Sequence, residues 1–198
     1  MKAPLILTAI ALLLSACTTQ FLQVPAGDHV FQGATLTTID NQWNKTPRFA
    51  AQPLNKSSQL WTRDGLLLDR LYIIPAIEDG AALFKNASKQ ETFAPYRANM
   101  LPNEIVELTE AAFSKAFAEA TKVTATNLRP HKLGNKQAFA FDLELAWTQA
   151  PRMNGRALAT KHNDQLYLLV YLGTHIHYFN KHLDAALNTI ESFRFSDG

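Results

Sequence analysis

Between residues 103 and 148 the spacing of apolar side chains changes period, and this change constrains the fold more than any other feature of the chain. In NEIVELTEAAFSKAFAEAT (103–121), Ile105, Leu108, Ala112, Phe113, Ala116, Phe117 and Ala120 recur at steps of three and four, which predicts an amphipathic helix. Asn103 is the expected cap, and Glu104 and Glu107 put negative charge near the positive end of the helix dipole. In QAFAFDLELAWT (137–148) the period is two. Phe139, Phe141, Leu143, Leu145 and Trp147 share one face, while Ala138, Ala140, Asp142, Glu144 and Ala146 share the other. That pattern predicts a strand buried on one face and at least partly wet on the second. QLYLLVYLG (165–173) is apolar on both faces, as a central, doubly covered strand must be.

The remaining segments supply the partners. VFQGATLTTID (30–40) reads as a first strand running toward Trp43, and residues 44–58, with Pro47 and Pro53, as a loop. The stretch from Ser58 to Phe84 holds two strand-like runs, with turns at Asp64-Gly65 and Asp79-Gly80. Residues 85–102 read as a loop. Gly134-Asn135 turns into the alternating strand, and Pro151 to Gly155 turns out of it into RALATKH. His162-Asn163-Asp164 turns into the strand doubly covered above. NKHLDAALNTIESF is a closing helix with Leu183, Ala186, Leu187 and Ile190 on one side, and Phe193-Arg194-Phe195 a terminal strand-like piece. The order is strands, helix, a meander of about four strands, helix. It predicts an α+β domain, a twisted antiparallel sheet with helices packed on it.

The N-terminus has a different character. Lys2 precedes an uncharged apolar run, Ala3 to Leu14, too short for a permanent span at about 20 residues per bilayer crossing. A positive start, a short apolar middle and small residues after it have the layout of a secretory signal peptide. Leu14-Ser15-Ala16-Cys17 resembles the lipobox of bacterial lipoproteins. The resemblance implies cleavage between Ala16 and Cys17 and a lipid on Cys17, the only cysteine of the chain. Thr18 in place of the aspartate that favours inner-membrane retention in enteric lipoproteins implies the periplasmic face of the outer membrane. The expected organisation is a signal peptide over 1–16, a lipidated tether over 17–28 and one domain over 29–198. The partner implied first is the membrane, reached through the lipid on Cys17.

Composition narrows the chemistry. Nineteen basic and seventeen acidic residues leave a net charge of +2 with no basic run, so nucleic acid is not an expected partner. With Cys17 lipidated no thiol remains for a disulfide, a zinc finger or thiol catalysis. No GxSxG, Walker loop or GxGxxG occurs. On a strand, His175 and His177 project from one face and could share a metal, with His182 or Asp184 as a third ligand. The competing reading is a polar strand end entering a helix, favoured because no HExxH or second acidic cluster accompanies them. Asp64, Asp69, Glu78 and Asp79 could hold an acid/base pair, but two of them precede glycine, which points to turns. Asp142 and Glu144 could bind a cation or a basic partner, or form a solvated face. Trp43, Trp61 and Trp147 could stack on a sugar or peptide, or fill the core. No cofactor is expected.

The helix, the glycine turn into an alternating aromatic strand, the strand QLYLLVY and the ending Ser192-Phe193-Arg194-Phe195 are together similar to the PsbP/Mog1-like α/β/α sandwich, best over residues 103–195. Several uncharacterised proteobacterial lipoproteins are built in this style. Members of that fold are mostly non-catalytic adaptors or assembly factors, so the resemblance implies a binding role beside an unidentified envelope protein. The alternative is a cell-envelope hydrolase or metal-binding protein centred on His175 and His177.

Overall fold

The computed structural model describes residues 21–51, 53–86, 92–117, 122–134, 136–148 and 150–196. Leu14 to Cys17 therefore lie outside the described residues. The strands are β1 (Leu22–Gln23), β2 (Gly27–Phe31), β3 (Ala34–Thr38), β4 (Asn44–Lys45), β5 (Gln59–Thr62), β6 (Asp69–Ile77), β7 (Lys122–Leu133), β8 (Lys136–Ala146), β9 (Met153–His162), β10 (Gln165–Thr174) and β11 (Arg194–Phe195). The helices are α1 (Pro102–Ala116) and α2 (Tyr178–Glu191).

Eight strands pair antiparallel in the order β1-β4-β5-β6-β10-β9-β8-β7, and β11-β3-β2 form a second, smaller antiparallel sheet. Two cores lie on opposite faces of the large sheet. One, under α1, gathers Tyr72, Ile74, Phe84, Ile105, Phe113, Phe141, Leu145 and Val170. The other, under α2 and the small sheet, gathers Leu36, Trp43, Trp61, Ile73, Tyr171, Ile190 and Phe193. The fold class expected from the two periods is the one observed.

The alternation in β8 is divided between the two cores. Phe139, Phe141, Leu143 and Leu145 enter the first core, and Ala138 and Ala140 the second. Asp142 and Glu144 stay outside both because α2 lies chiefly over β10. β10 splits evenly: Leu166, Leu168, Val170 and Leu172 face α1, and Tyr167, Leu169 and Tyr171 face α2.

Several local expectations change. Residues 30–40 do not form one strand: β2 and β3 make a hairpin turned at Gly33. Gly33 has φ +70, and a Cβ there would lie 2.7 Å from the Tyr167 hydroxyl, so glycine is required twice over. The loop expected over 44–58 contains β4. The segment expected as a tether over 17–28 is woven into the fold from Leu22 onward, with β1 on β4, Val24 buried and β2 starting at Gly27. Helix α1 is capped by Leu101, not Asn103. Pro102 occupies the first turn, where a missing N–H costs nothing, and the Glu104 carboxylate accepts the Leu101 N–H at 2.6 Å.

Candidate functional site

At one end of the large sheet β5, β8 and β10 finish and β6, β7 and β9 begin. The turn between β5 and β6 is organised by Asp69, whose side chain has no exposed surface. Its carboxylate accepts the Thr62 hydroxyl at 3.0 Å and the Arg63 and Asp64 amides at 2.8 Å each. Gly65, at φ +115, donates its own N–H to the Thr62 hydroxyl. With its polar groups turned inward on Asp69, the turn leaves Leu67 exposed and Leu68 half-buried, while Leu66 packs on the first core. The Thr174 N–H then donates to the Leu68 carbonyl, and the His175 N–H to the Arg152 carbonyl, both at 2.9 Å. Three connecting segments are thereby fastened side by side.

Between them lies an apolar groove of about 660 Å³, lined by Leu67, Leu68, Phe117, Trp147, Pro151, Met153 and Ile176, with Arg70 and His177 at its sides. Phe117 and Trp147 meet edge to face at 5.6 Å. Arg70 lies 4.8 Å over the Phe117 ring and donates through Nε to the Leu66 carbonyl. Leu67 and Ile176 stand on the rim, 82% and 84% exposed.

The histidines expected on one strand face are not on a strand. β10 ends at Thr174; His175 and Ile176 form the turn and His177 caps α2. His175 shares a 3.0 Å hydrogen bond with Asn154, and His177 stacks edgewise on Tyr178. His182 is buried and reaches Asp64 Oδ2 at 2.6 Å, beside Lys181 at the same oxygen and distance. The three imidazoles therefore have separate partners. Among the described residues no three His, Cys, Asp or Glu side chains gather as metal ligands would.

The four carboxylates weighed as an acid/base pair are likewise dispersed. Asp64 joins its turn to α2. Partial burial pushes its carboxyl up, but the hydrogen bonds and charges of Lys181 and His182 outweigh this and hold it below the ordinary range. Asp69 is consumed by its turn, Glu78 is exposed, and Asp79 accepts the Ala98 N–H at 2.9 Å.

No protein-family model matches the sequence, and no curated protein is similar to it by sequence. Among solved structures, the cyanobacterial PsbP (CyanoP) of Synechocystis sp. PCC 6803 superposes with a TM-score of 0.55 over 91% of this chain and 95% of its own, at 8% identity. The fold is PsbP-like. At that identity the likeness extends to the architecture alone.

On the α2 side of this PsbP-like sheet, Asp142 and Glu144 belong to a polar grid. Thr126, Asp142 and Arg156 form one cross-strand row, and Thr124, Glu144 and Asn154 the next. They floor an open trough of about 390 Å³ walled by Phe179. Asp142 binds Arg156, Arg129 at 3.2 Å and Asn127 at 2.8 Å. Burial pushes its carboxyl up, but these partners prevail and hold it low. Glu144 pairs with Arg152 at 3.3 Å. A further hollow of about 470 Å³ lies by Pro102, Leu128, Pro130, Phe139 and Lys161. Trp43 and Trp61 are core residues, and Trp147 alone of the tryptophans borders a groove.

The groove was the element least visible in the sequence. Its signals were two apolar breaks in otherwise polar connections: Leu66-Leu67-Leu68 directly after an Asp-Gly turn, and Ile176 between two histidines. Among the described residues no helix is long and apolar enough to cross a membrane.

Proposed function

We propose that the chain is an envelope lipoprotein, held at a membrane surface through Cys17, whose PsbP-like domain is a non-catalytic binding or assembly module. The observation that carries the anchor is Leu14-Ser15-Ala16-Cys17 behind a charged and apolar leader, with Cys17 the single cysteine. Two or more acyl chains there would hold the protein stably, whereas one would hold it only marginally. Confinement to a surface raises local concentration, so modest affinity suffices for a partner in the same membrane. Support for binding rather than catalysis comes from the concave surfaces. The groove beside Leu67 and Ile176 is mostly apolar, and the carboxylates of the polar trough are occupied by arginines. The thiol's environment implies the outer membrane, through Thr18, in preference to the inner one.

Two measurements test this reading. Mass spectrometry of the purified chain should find a new N-terminus at Cys17 carrying a diacylglyceryl group, and Cys17→Ser should leave an unprocessed or soluble form. Continued processing and tight membrane association of Cys17→Ser would overturn the anchor. Crosslinking in intact cells should then recover a defined envelope protein with the wild-type chain.

A further inference from the structure

We propose that the cavity beside Arg70 and Tyr72, on the α1 side of the large sheet, binds a small aromatic carboxylate. The inference goes beyond the protein partner proposed above and does not depend on the anchor at Cys17.

The cavity has a volume of about 230 Å³. Pro53, Leu60, Phe84 and Ala116 give it hydrocarbon walls, and Arg70 and Tyr72 are the polar side chains among the described residues that line it. Volume bounds the guest. An apolar cavity of about 150 Å³ stays dry and accepts a benzene-sized molecule, so this one has room for a ring and one small substituent. The walls suit a ring as well. Tyr72 meets Phe84 and Phe113 edge to face, at 6.4 Å and 5.2 Å, and such clusters offer a guest ring both edges and faces.

Arg70 and Tyr72 both enter as donors. Alternation along β6 puts Tyr72 and Ile74 in the core under α1 and Leu71 and Ile73 in the other, so Arg70 shares the α1 side with Tyr72. Arg70 Nε donates to the Leu66 carbonyl, and Nη1 reaches the Tyr72 hydroxyl at 3.4 Å, a long bond. Among the described residues Nη2 has no acceptor, and neither has the Tyr72 proton, because the hydroxyl takes part only as acceptor from Arg70. Tyr72 is 6% exposed, and burial pushes its phenol up, so that proton stays in place. Nearby carboxylates are already committed. Asp69 lies on the opposite side of the sheet, filled by Thr62, Arg63 and Asp64, and Glu110 accepts the Ala125 N–H.

A permanently charged guanidinium and a phenol proton, side by side without an acceptor, match an anion. Water would answer the donors and leave the hydrocarbon walls bare. A carboxylate takes a bond from each while its ring fills the space behind them. Arg70 is half-buried and also borders the groove, which places the carboxylate at the mouth and the ring inside.

Equilibrium dialysis of the full chain against radiolabelled benzoate tests this. Saturable binding of one benzoate per chain is expected. Benzyl alcohol has the ring without the charge and acetate the charge without the ring, so each should compete at least about tenfold more weakly than unlabelled benzoate. Tyr72→Phe removes a single hydroxyl and keeps the packing, and it should weaken benzoate about tenfold. Arg70→Gln should weaken it further, and Ala116→Leu, which fills the cavity, should abolish binding while circular dichroism stays that of the wild type. Should Arg70→Gln fail to fold, Tyr72→Phe decides. Three outcomes overturn the proposal: no saturable binding, benzoate held as tightly by Tyr72→Phe as by the wild type, or benzyl alcohol competing as well as benzoate.

Discussion

Asp69 and Asp142 show two ways of keeping a carboxylate in a sheet. Asp69 is wholly buried and answers three donors, all from the turn that precedes it. Hydrogen bonds to a buried charged acceptor are strong, and leaving donors unanswered costs their desolvation. Asp69→Ala should therefore lower unfolding stability by about 3 kcal/mol, read from urea transitions, and loosen Leu66 to Leu68. A loss below about 1 kcal/mol would mean that backbone bonds alone hold the turn. Asp142 sits on the surface grid among Arg129, Arg156 and Asn127, which hold its carboxyl below the ordinary value despite partial burial. Because its folded pKa is depressed, its contribution is complete above the unfolded carboxylate pKa of about 3.9. The contribution disappears as pH falls from there through the folded value. Urea unfolding from pH 6 downward should show this decline, and Asp142→Asn should flatten it. An unchanged pH profile in Asp142→Asn would remove Asp142 as the cause, leaving Asp64, depressed by Lys181 and His182, and Asp28, depressed by Thr37 and Arg194.

At the scale of elements, the junction between β10 and α2 is a close backbone contact. A Cβ on Gly173 would come within 2.6 Å of the Phe179 backbone, and backbone cannot swing aside as a side-chain tip can. Gly173→Ala should displace the first turn of α2 and cost about 1–3 kcal/mol, with new solvent exposure at Phe179 and His182 by hydrogen exchange. Wild-type protection in that turn would show that the sheet yields instead. β7, an edge strand, is interrupted where Asn127 adopts φ +57 and the register slips between Thr126 and Arg129. Pro130 follows, a residue that edge positions tolerate. These breaks hid the strand from a period-two reading, since alternation fails across a bulge. By contrast α1, β8 and β10 were legible because their apolar spacing is unbroken. The placement of His175 and His177 on a strand face differs from the structure for a related reason. Thr174-His175-Ile176-His177 continues a strand-like pattern, but the chain turns after Thr174, and no residue in the sequence announces the turn.

Across the whole molecule, long-range placement was the part the sequence concealed. The α+β class followed from two periods in succession, whereas the assignment of β1 to an edge beside β4 depends on two-residue pairings that no pattern encodes. The groove likewise depends on three connections that meet only after folding. The second core is closed by both halves of the chain: Phe193 is 1% exposed and packs on Tyr167 and Phe195, while β11 pairs with β3 across nearly the full length. Phe193→Ala should cost about 3–5 kcal/mol and release protection in β2 and β3 more than in α1. Equal loss in both faces would instead mean that the two cores act as one. That closure also sets an order of events. The hairpin β2–β3 is made early in synthesis, yet its neighbour β11 comes some 155 residues later, as in the Thr37–Ser192 bond. Pairings this distant are slow to form because the intervening loop must be closed first. A chain still emerging from a ribosome therefore has an unfinished second core, and the final clasp forms only after Arg194 and Phe195 have arrived.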